Sequence, residues 1–383
     1  MSTNIYVTKI DALIAELNPT VQTFEEVCAN YDHAIKLAHE VGIYPNEKLV
    51  EIFINYGQYL QAHNQLPLAT KQYDKALKIY RKLYKKDAGT YADIFANTLT
   101  NLGVLEWKQH QYNKAEPLFK EALELYRKLA ENDKQRYESE VAKTLNHLGT
   151  CYQETDQFTT AMPFYQEALQ IYQQLAVKQP EEYDISVAKT LNYIAALHGD
   201  MKDFQKSEEV YLEVLKIHRQ LVANHPNKYE HDLAMTLNHI GALYDNMEQY
   251  KEAEPIYLEL LQLRRKLAET NPQENNVYVA MTLNNLGVLY YDLQQYPQSE
   301  KYLQETLAAY RQLAQTDAKT YLPDVAMTLS NLTELYGNPM GRKVDAMKTA
   351  EEALKIYQEL AQQNPQTYAA GVGRVKSQIE SLK

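Results

Sequence analysis

The sequence has little glycine and almost no cysteine: 12 glycines and 2 cysteines occur in 383 residues. The scarcity of glycine, with an abundance of Leu, Ala, Glu, Gln, Lys and Tyr, suits an all-helical protein. Cys28 and Cys151 lie far apart and form no CxxC motif. The sequence therefore indicates neither a disulfide scaffold nor a zinc site, and a reducing compartment fits it.

An excess of positive charge is also missing. Lys and Arg number 39 against 50 Asp and Glu, which gives a net charge of −11 and a pI near 5.5. Nucleic-acid grooves require positive surfaces, so we expect no nucleic-acid partner. The first thirty residues show no signal-peptide pattern, and no apolar run approaches the length that spans a bilayer. We expect a soluble, cytoplasmic protein without a membrane partner.

What the sequence does contain is one phrase repeated at a fixed interval. Met281-Thr282-Leu283-Asn284-Asn285-Leu286-Gly287 has related copies that begin at residues 97, 143, 189, 235 and 327, in steps of 46. A fixed period of this length is the signature of a repeat array, in which each unit packs only on its neighbours. The sequence therefore predicts one continuous solenoid rather than two or three globular domains.

Each repeat predicts two helices. The first carries a small residue at a constant position; these residues are Gly57, Gly103, Gly149, Ala195, Gly241, Gly287 and Thr333. Glycine inside a helix costs roughly 0.5–1 kcal/mol relative to alanine, so its recurrence predicts a neighbouring helix that crosses very closely. The second helix is long, and we expect four prolines to end it, because proline cannot continue a hydrogen-bonded turn. These are Pro180, Pro226, Pro272 and Pro365.

The repeat divides the chain into three regions. Residues 1–44 are predicted to form a degenerate helix pair, with a first helix around residues 10–17 and a second from about Thr23 to Glu40. Residues 45–367 hold seven units of 46 residues, the last with a turn longer by one residue. Residues 368–383 are predicted to be a capping helix that turns Val372, Val375 and Ile379 inward.

The spacing within a unit resembles that of the tetratricopeptide repeat. Ala161 follows Gly149 by twelve residues, Tyr165 follows by four and Ala168 by three more. The phrases Thr-Leu-Asn-Asn-Leu-Gly and Ala-Glu-Pro look like those of kinesin light chains and of long bacterial repeat arrays. The resemblance implies an all-α, right-handed superhelix of antiparallel helix pairs. It also implies that the first helices line a concave groove in which peptides or proteins dock.

The candidate binding residues are the variable positions around the repeated phrase. One ladder consists of Asn146, Asn192, Asn238 and Asn284, with Thr100 and Ser330 at its ends. The ladder beside it consists of Asn101, His147, Tyr193, His239, Asn285 and Asn331. Amides donate and accept together, so they can satisfy an extended peptide backbone. The alternative is that these asparagines bond neighbouring helices and fix the pitch of the array.

Two further sets occupy equivalent places beside the ladders. Lys143 and Lys189 match in part the lysines with which some tetratricopeptide domains bind acidic C-termini, although the residues one turn on are His147 and Tyr193. The alternative is that both lysines are solvated. Met235, Met281 and Met327 continue the same line and form either an adaptable contact surface or part of the packing.

No catalytic constellation accompanies these residues. His147 and His239 are two units apart, too far for one metal, and we find no phosphate-binding glycine loop or nucleophile elbow. We therefore predict a protein that is not an enzyme, needs no metal or cofactor, and binds a protein or peptide as a scaffold or adaptor.

Two alternative functions stay open. One is a recognition arm, or sensor, that controls a separate effector in bacterial signalling or defence. The other is a self-assembling structural spacer with exposed tyrosine edges, although the same tyrosines could instead pack between repeats. They are Tyr80, Tyr126, Tyr172, Tyr310 and Tyr357.

Overall fold

The computed structural model describes residues 23–40 and 47–383, and within these ranges it contains sixteen α-helices and no strand. The first helix predicted in residues 1–44 lies outside the described residues. The helices are α1 Phe24–Glu40, α2 Glu47–Ala62, α3 Leu66–Lys86, α4 Ala88–Lys108, α5 Tyr112–Asn132, α6 Lys134–Gln153, α7 Phe158–Lys178, α8 Pro180–Asp200, α9 Phe204–Asn224, α10 Glu230–Asn246, α11 Tyr250–Thr270, α12 Pro272–Asp292, α13 Tyr296–Thr316, α14 Ala318–Gly337, α15 Lys343–Gln363 and α16 Pro365–Leu382.

The all-α class is thereby confirmed. The even-numbered helices are the first helices of the repeats and the odd-numbered ones are the second helices. The chain divides into two compact units, Met1–Met201 (unit 1) and Lys202–Lys383 (unit 2). Within each unit, helices that follow one another in sequence pack side by side.

A single left-handed residue reverses the chain between the first and second helix of a repeat. These residues recur every 46 positions with φ between 56° and 61°: Asn64, His110, Asp156, Lys202, Glu248 and Gln294. In the longer last turn the place is taken by Gly341, at φ 65°. The polar residues of the predicted turns are thus tolerated in a backbone conformation that glycine adopts most easily.

Three of the four prolines predicted to end the second helices have a different role. Pro180, Pro272 and Pro365 are the first residues of α8, α12 and α16. Proline suits this position because the first N–H groups of a helix have no intrahelical acceptor. The preceding second helices end before the proline is reached, and the C-terminal helix begins at Pro365 rather than at Tyr368.

The predicted close crossing at the repeated glycine is confirmed. A Cβ atom on Gly149 would lie 2.4 Å from the ring of Tyr165, which belongs to the second helix of the same repeat. Gly57, Gly103 and Gly241 meet Tyr73, Phe119 and Tyr257 in the same way, at 2.5–2.7 Å. The small residue therefore makes room for the buried aromatic side chain that follows sixteen positions later.

The tyrosines proposed as exposed edges of a spacer are buried. Their exposed fractions lie between 2% and 6%. Tyr126 and Tyr172 lie near tyrosines of the following first helix, with ring centroids about 6.5 Å apart. The prediction of exposed tyrosine edges is therefore wrong, and the alternative, packing between repeats, holds for these residues.

An ion-pair ladder on the second helices was not predicted. Each arginine bonds a glutamate of the next second helix, 40 residues on or, in the last case, 41; the pairs are Arg81–Glu121, Arg127–Glu167, Arg219–Glu259, Arg265–Glu305 and Arg311–Glu352. The side chains are roughly half exposed, so water and salt screen the attraction.

We expect Arg127→Gln to lower the free energy of unfolding by less than about 1 kcal/mol, since exposed ion pairs contribute little. Glutamine is the natural residue at the equivalent position, Gln173. Urea denaturation of the variant beside the parent measures the change. A loss of several kcal/mol would show that the ladder, rather than the buried core, holds the repeats together.

Candidate functional site

In unit 1 the predicted binding residues lie on α4, α6 and α8. Lys143 and Lys189 are both exposed. Lys143 Nζ lies 3.8 Å from Oε2 of Glu140 in the same helix. Tyr193 is partly exposed and stacks on Tyr165, with ring centroids 5.5 Å apart. Unit 1 thus exposes two lysines at equivalent positions of adjacent repeats.

The asparagine ladder of unit 1 is turned toward the neighbouring helix. Asn146 is buried and its Nδ2 donates to Thr190 Oγ1 at 2.8 Å, which joins α6 to α8. Asn192 is partly buried, and its Oδ1 has no hydrogen-bond partner. Asn146 thus connects first helices through its Nδ2, while its Oδ1, like that of Asn192, is buried without a hydrogen-bond partner.

His147 lies against the aromatic core. Its ring stacks on Phe119 at a centroid distance of 4.9 Å, and its Nε2 has no partner. Burial, and to a smaller extent the charge of Lys143, lowers the pKa of His147 to about 4. The imidazole is therefore neutral at physiological pH.

In unit 2 the ladders again bond neighbouring helices. Asn331 Nδ2 donates to Asn284 Oδ1 at 3.3 Å, across α14 and α12, and Asn238 Oδ1 accepts from Arg264 at 3.4 Å. His239 lies beside the Tyr211 ring, and burial lowers the pKa of His239. Asn285 is partly buried on α12.

Large apolar side chains are exposed on the first helices of unit 2. Met235 on α10 is 57% exposed, and Tyr278, Met281 and Val288 on α12 are 41–45% exposed. Met327, the third methionine of the stripe, is partly buried on α14. The four exposed side chains, termed here the apolar band, are therefore available for contact, and packing does not account for Met235 or Met281.

A cavity of about 190 Å³ lies between α12 and α14 at one end of the apolar band. Val288, Leu303 and Asn331 line it together with the carboxylates of Asp292 and Glu334. Burial, followed by the charge of Glu334, raises the pKa of Asp292. This end of the face is suited to a cationic side chain.

A second cavity, of about 220 Å³, lies between α10, α11 and α12 at the other end of the band. Its lining includes Arg264, whose side chain is buried, together with Met235 and Tyr278. The repeat pattern offered a signal that sequence reasoning missed, since Arg264 occupies the register position at which five other repeats have tyrosine.

The described residues, 23–40 and 47–383, bring together no group of three His, Cys, Asp or Glu side chains that could hold a metal ion. In the same part of the chain, no helix combines the length and apolarity needed to cross a bilayer.

Comparison with known families identifies the class. The model of the tetratricopeptide repeat matches residues 94–174, 186–266, 232–312 and 278–359, well over half of the chain. The protein belongs to the tetratricopeptide repeat family, which confirms the resemblance seen in the sequence. The family is in general a binding scaffold. No protein of curated function matched the sequence.

Several solved structures share the fold. BtubC (BKLC) from P. vanneervenii is 23% identical with a TM-score of 0.52, over 65% of this chain and 92% of that one. A Signal Transduction ATPase with Numerous Domains (STAND) protein with a tetratricopeptide repeat sensor, from Pyrococcus horikoshii, is 15% identical with a TM-score of 0.58, over 99% of this chain and 51% of that one. Aspartyl phosphate phosphatase F from Bacillus subtilis is 16% identical with a TM-score of 0.53, over 98% of this chain and 92% of that one. At these identities the likeness concerns the fold alone.

Proposed function

We propose that the protein is a non-catalytic scaffold that binds a peptide segment of another protein on its first helices. The observation that carries the proposal is the apolar band of unit 2. Exposed patches of large apolar side chains rimmed by polar groups are typical of interaction sites. Methionine adds adaptability, because its unbranched side chain fits differently shaped partners.

The acidic residues at one end of the apolar band indicate the chemistry of the peptide. Asp292 and Glu334 line the cavity between α12 and α14 and favour a lysine or arginine side chain. Apolar side chains of the same peptide contact Met281 and Val288 between the two cavities. Asn285 supplies a donor and an acceptor beside them for the peptide backbone.

Unit 1 carries a second proposed contact surface. Lys143, Lys189 and Tyr193 are exposed and carry hydrogen-bond donors. We propose that they contact acidic side chains of a partner. The asparagines that bond neighbouring helices, Asn146 and Asn284, act through the spacing of the first helices.

The test is a selection of binders from a phage-displayed library of random peptides, followed by affinity measurement with synthetic peptides. We expect selected peptides to combine a basic residue with apolar residues. Met281→Glu should weaken them by about 10-fold or more, because it places a carboxylate in an apolar contact.

Leu212→Glu is the matched control. Leu212 lies on the second helix α9 and is 45% exposed, against 44% for Met281. The two variants make the same chemical change at equal exposure, so a non-specific effect of the charge would appear in both. Equal affinities for Met281→Glu and the parent, or a library that yields no binder, would contradict the proposal.

A sensor arm is the second candidate function. The STAND protein that aligns with 99% of this chain is named for a tetratricopeptide repeat sensor. A sensor changes shape when it binds, whereas an adaptor does not need to. Small-angle scattering with and without a selected peptide separates the two, because a changed radius of gyration supports the sensor and an unchanged one the adaptor.

A further inference from the structure

Arg264 lies at a position where five other repeats have tyrosine and the preceding repeat has the buried His218, whose Nδ1 lies 2.8 Å from Thr236 Oγ1. Tyr80, Tyr126, Tyr172 and Tyr310 precede or follow it in steps of 46, and Tyr357 completes the series after the longer turn. These tyrosines are buried, and Arg264 is buried as well, with 7% of its surface exposed. The repeat alone therefore requires no cation at this position, and a buried charge calls for a reason of its own.

The guanidinium of Arg264 is held only by neutral groups. Its Nη1 donates to Tyr278 O at 2.9 Å and to Thr282 Oγ1 at 2.6 Å, and its Nη2 donates to Asn238 Oδ1 at 3.4 Å. No carboxylate among the described residues is paired with it, whereas the adjacent Arg265 is bonded to Glu305. Removing a cation from water without a counter-charge is strongly unfavourable.

The hydrogen bonds orient the guanidinium and leave part of it free. A guanidinium has five N–H donors, of which these three bonds use three. The side chain also lines the cavity of about 220 Å³ between α10 and α12. Two N–H groups of a guanidinium that lines a cavity are thus left without a protein acceptor.

The other residues that line the cavity indicate which chemical group fits beside the Arg264 guanidinium. Met235, Leu267 and the ring of Tyr278 are apolar surfaces, and the polar side chains are His231 and the buried Asn275. Asn275 Nδ2 donates to backbone carbonyls of α11 and of the turn after it, which leaves its Oδ1 as an acceptor for an N–H. The cavity therefore presents a cation, an acceptor and an apolar wall.

We propose that this cavity binds a carboxylate with an apolar side chain beside it, as in the last residue of a peptide. The carboxylate pairs with the two free donors of Arg264, the side chain contacts Met235 and Leu267, and the last peptide N–H faces Asn275. A phosphate fits less well, because it carries up to two charges and Arg264 is the single buried cation of the lining. This inference rests on the proposed function, since it places the C-terminus of the bound segment.

The test uses small probes and the full chain. N-acetyl-L-leucine carries the carboxylate and the apolar side chain, N-acetyl-L-leucinamide lacks the charge, and the α-amide of N-acetyl-L-glutamate carries the carboxylate on its side chain. We expect N-acetyl-L-leucine to bind in ligand-observed NMR, and both amides to bind at least about 10-fold more weakly.

Arg264→Tyr should abolish this binding. Tyrosine is native at the same position of five repeats, so the variant is expected to keep its helicity and to melt at or above the temperature of the parent. Arg265→Gln is the matched control, because it removes a cation from the neighbouring, exposed position. It should leave binding of N-acetyl-L-leucine unchanged.

Binding that survives Arg264→Tyr, or no binding of N-acetyl-L-leucine to the parent, would overturn the inference. Tighter binding of the glutamate amide or of inorganic phosphate would also overturn it, in favour of a side-chain carboxylate or a phosphate. The peptide selection separates these failures from failure of the proposed function, because library binders sensitive to Met281→Glu would still support the scaffold.

Discussion

Replacing Tyr165 with alanine is expected to lower the free energy of unfolding of unit 1 by about 4 kcal/mol. The ring is completely buried, and its hydroxyl donates to Gln153 at 2.8 Å. Alanine would leave a cavity against Gly149, which has no side chain to fill it. Urea denaturation followed by circular dichroism measures the loss.

The size of the residue at position 149 should determine how much stability Tyr165→Ala removes. In the last full repeat Thr333 takes the glycine position and Ala350 the aromatic one, so the chain itself contains the exchanged pair. Gly149→Thr alone should cost about 1–3 kcal/mol through overpacking against Tyr165. Combined with Tyr165→Ala, it should cost clearly less than the sum of the two single changes, by about 2 kcal/mol.

Gly373→Ala is the control for helix propensity, because nothing lies within 4 Å of the added Cβ. It should stabilise the protein by up to about 1 kcal/mol. Additive costs for Gly149→Thr and Tyr165→Ala would show that the two side chains do not share the same space.

His147 should make unit 1 less stable in acid. Its pKa in the folded protein is about 4, below the ordinary value of 6.5. As the pH falls below about 6.5 the unfolded chain takes up a proton that the folded protein accepts only near pH 4, so stability is lost across that interval. The expected loss between about pH 7.5 and pH 5 is about 2 kcal/mol.

His147→Asn should remove this contribution. Asparagine is native at the equivalent position Asn101. Urea denaturation of both proteins at the two pH values cancels the effect of other titrating groups, and an NMR titration of the imidazole reports its pKa directly. Parallel pH profiles for parent and variant would mean that His147 titrates as an ordinary histidine.

The sequence predicted the parts of the fold that follow from periodicity. The glycine at Gly149 indicated a close crossing, and its partner proved to be Tyr165, an aromatic residue already singled out in the second helix. Pro180 was misjudged, because a proline that follows one helix and begins the next leaves the same local pattern. The sequence left two roles open for the tyrosines of the second helices, an exposed edge and packing between repeats, and burial of their rings decides for packing.

The candidate binding surface was harder to predict from the sequence. A ladder of asparagines has the same spacing whether it faces a partner or the next helix, and only the structure shows that Asn146 bonds Thr190 of the next first helix. The methionine stripe was equally ambiguous between contact surface and packing. The structure shows that Met235 and Met281 are exposed, whereas Met327 is partly buried. Arg264 could have been found by asking where the repeat breaks its own pattern.

The most direct test of the central claim is photo-crosslinking with a peptide selected from the library. The peptide carries a photoreactive residue at one of its apolar positions, and mass spectrometry locates the attachment points. We predict attachment on α10 and α12, at Met235, Tyr278 or Met281. Attachment confined to the second helices α9, α11 and α13 would contradict the assignment of binding to the first helices.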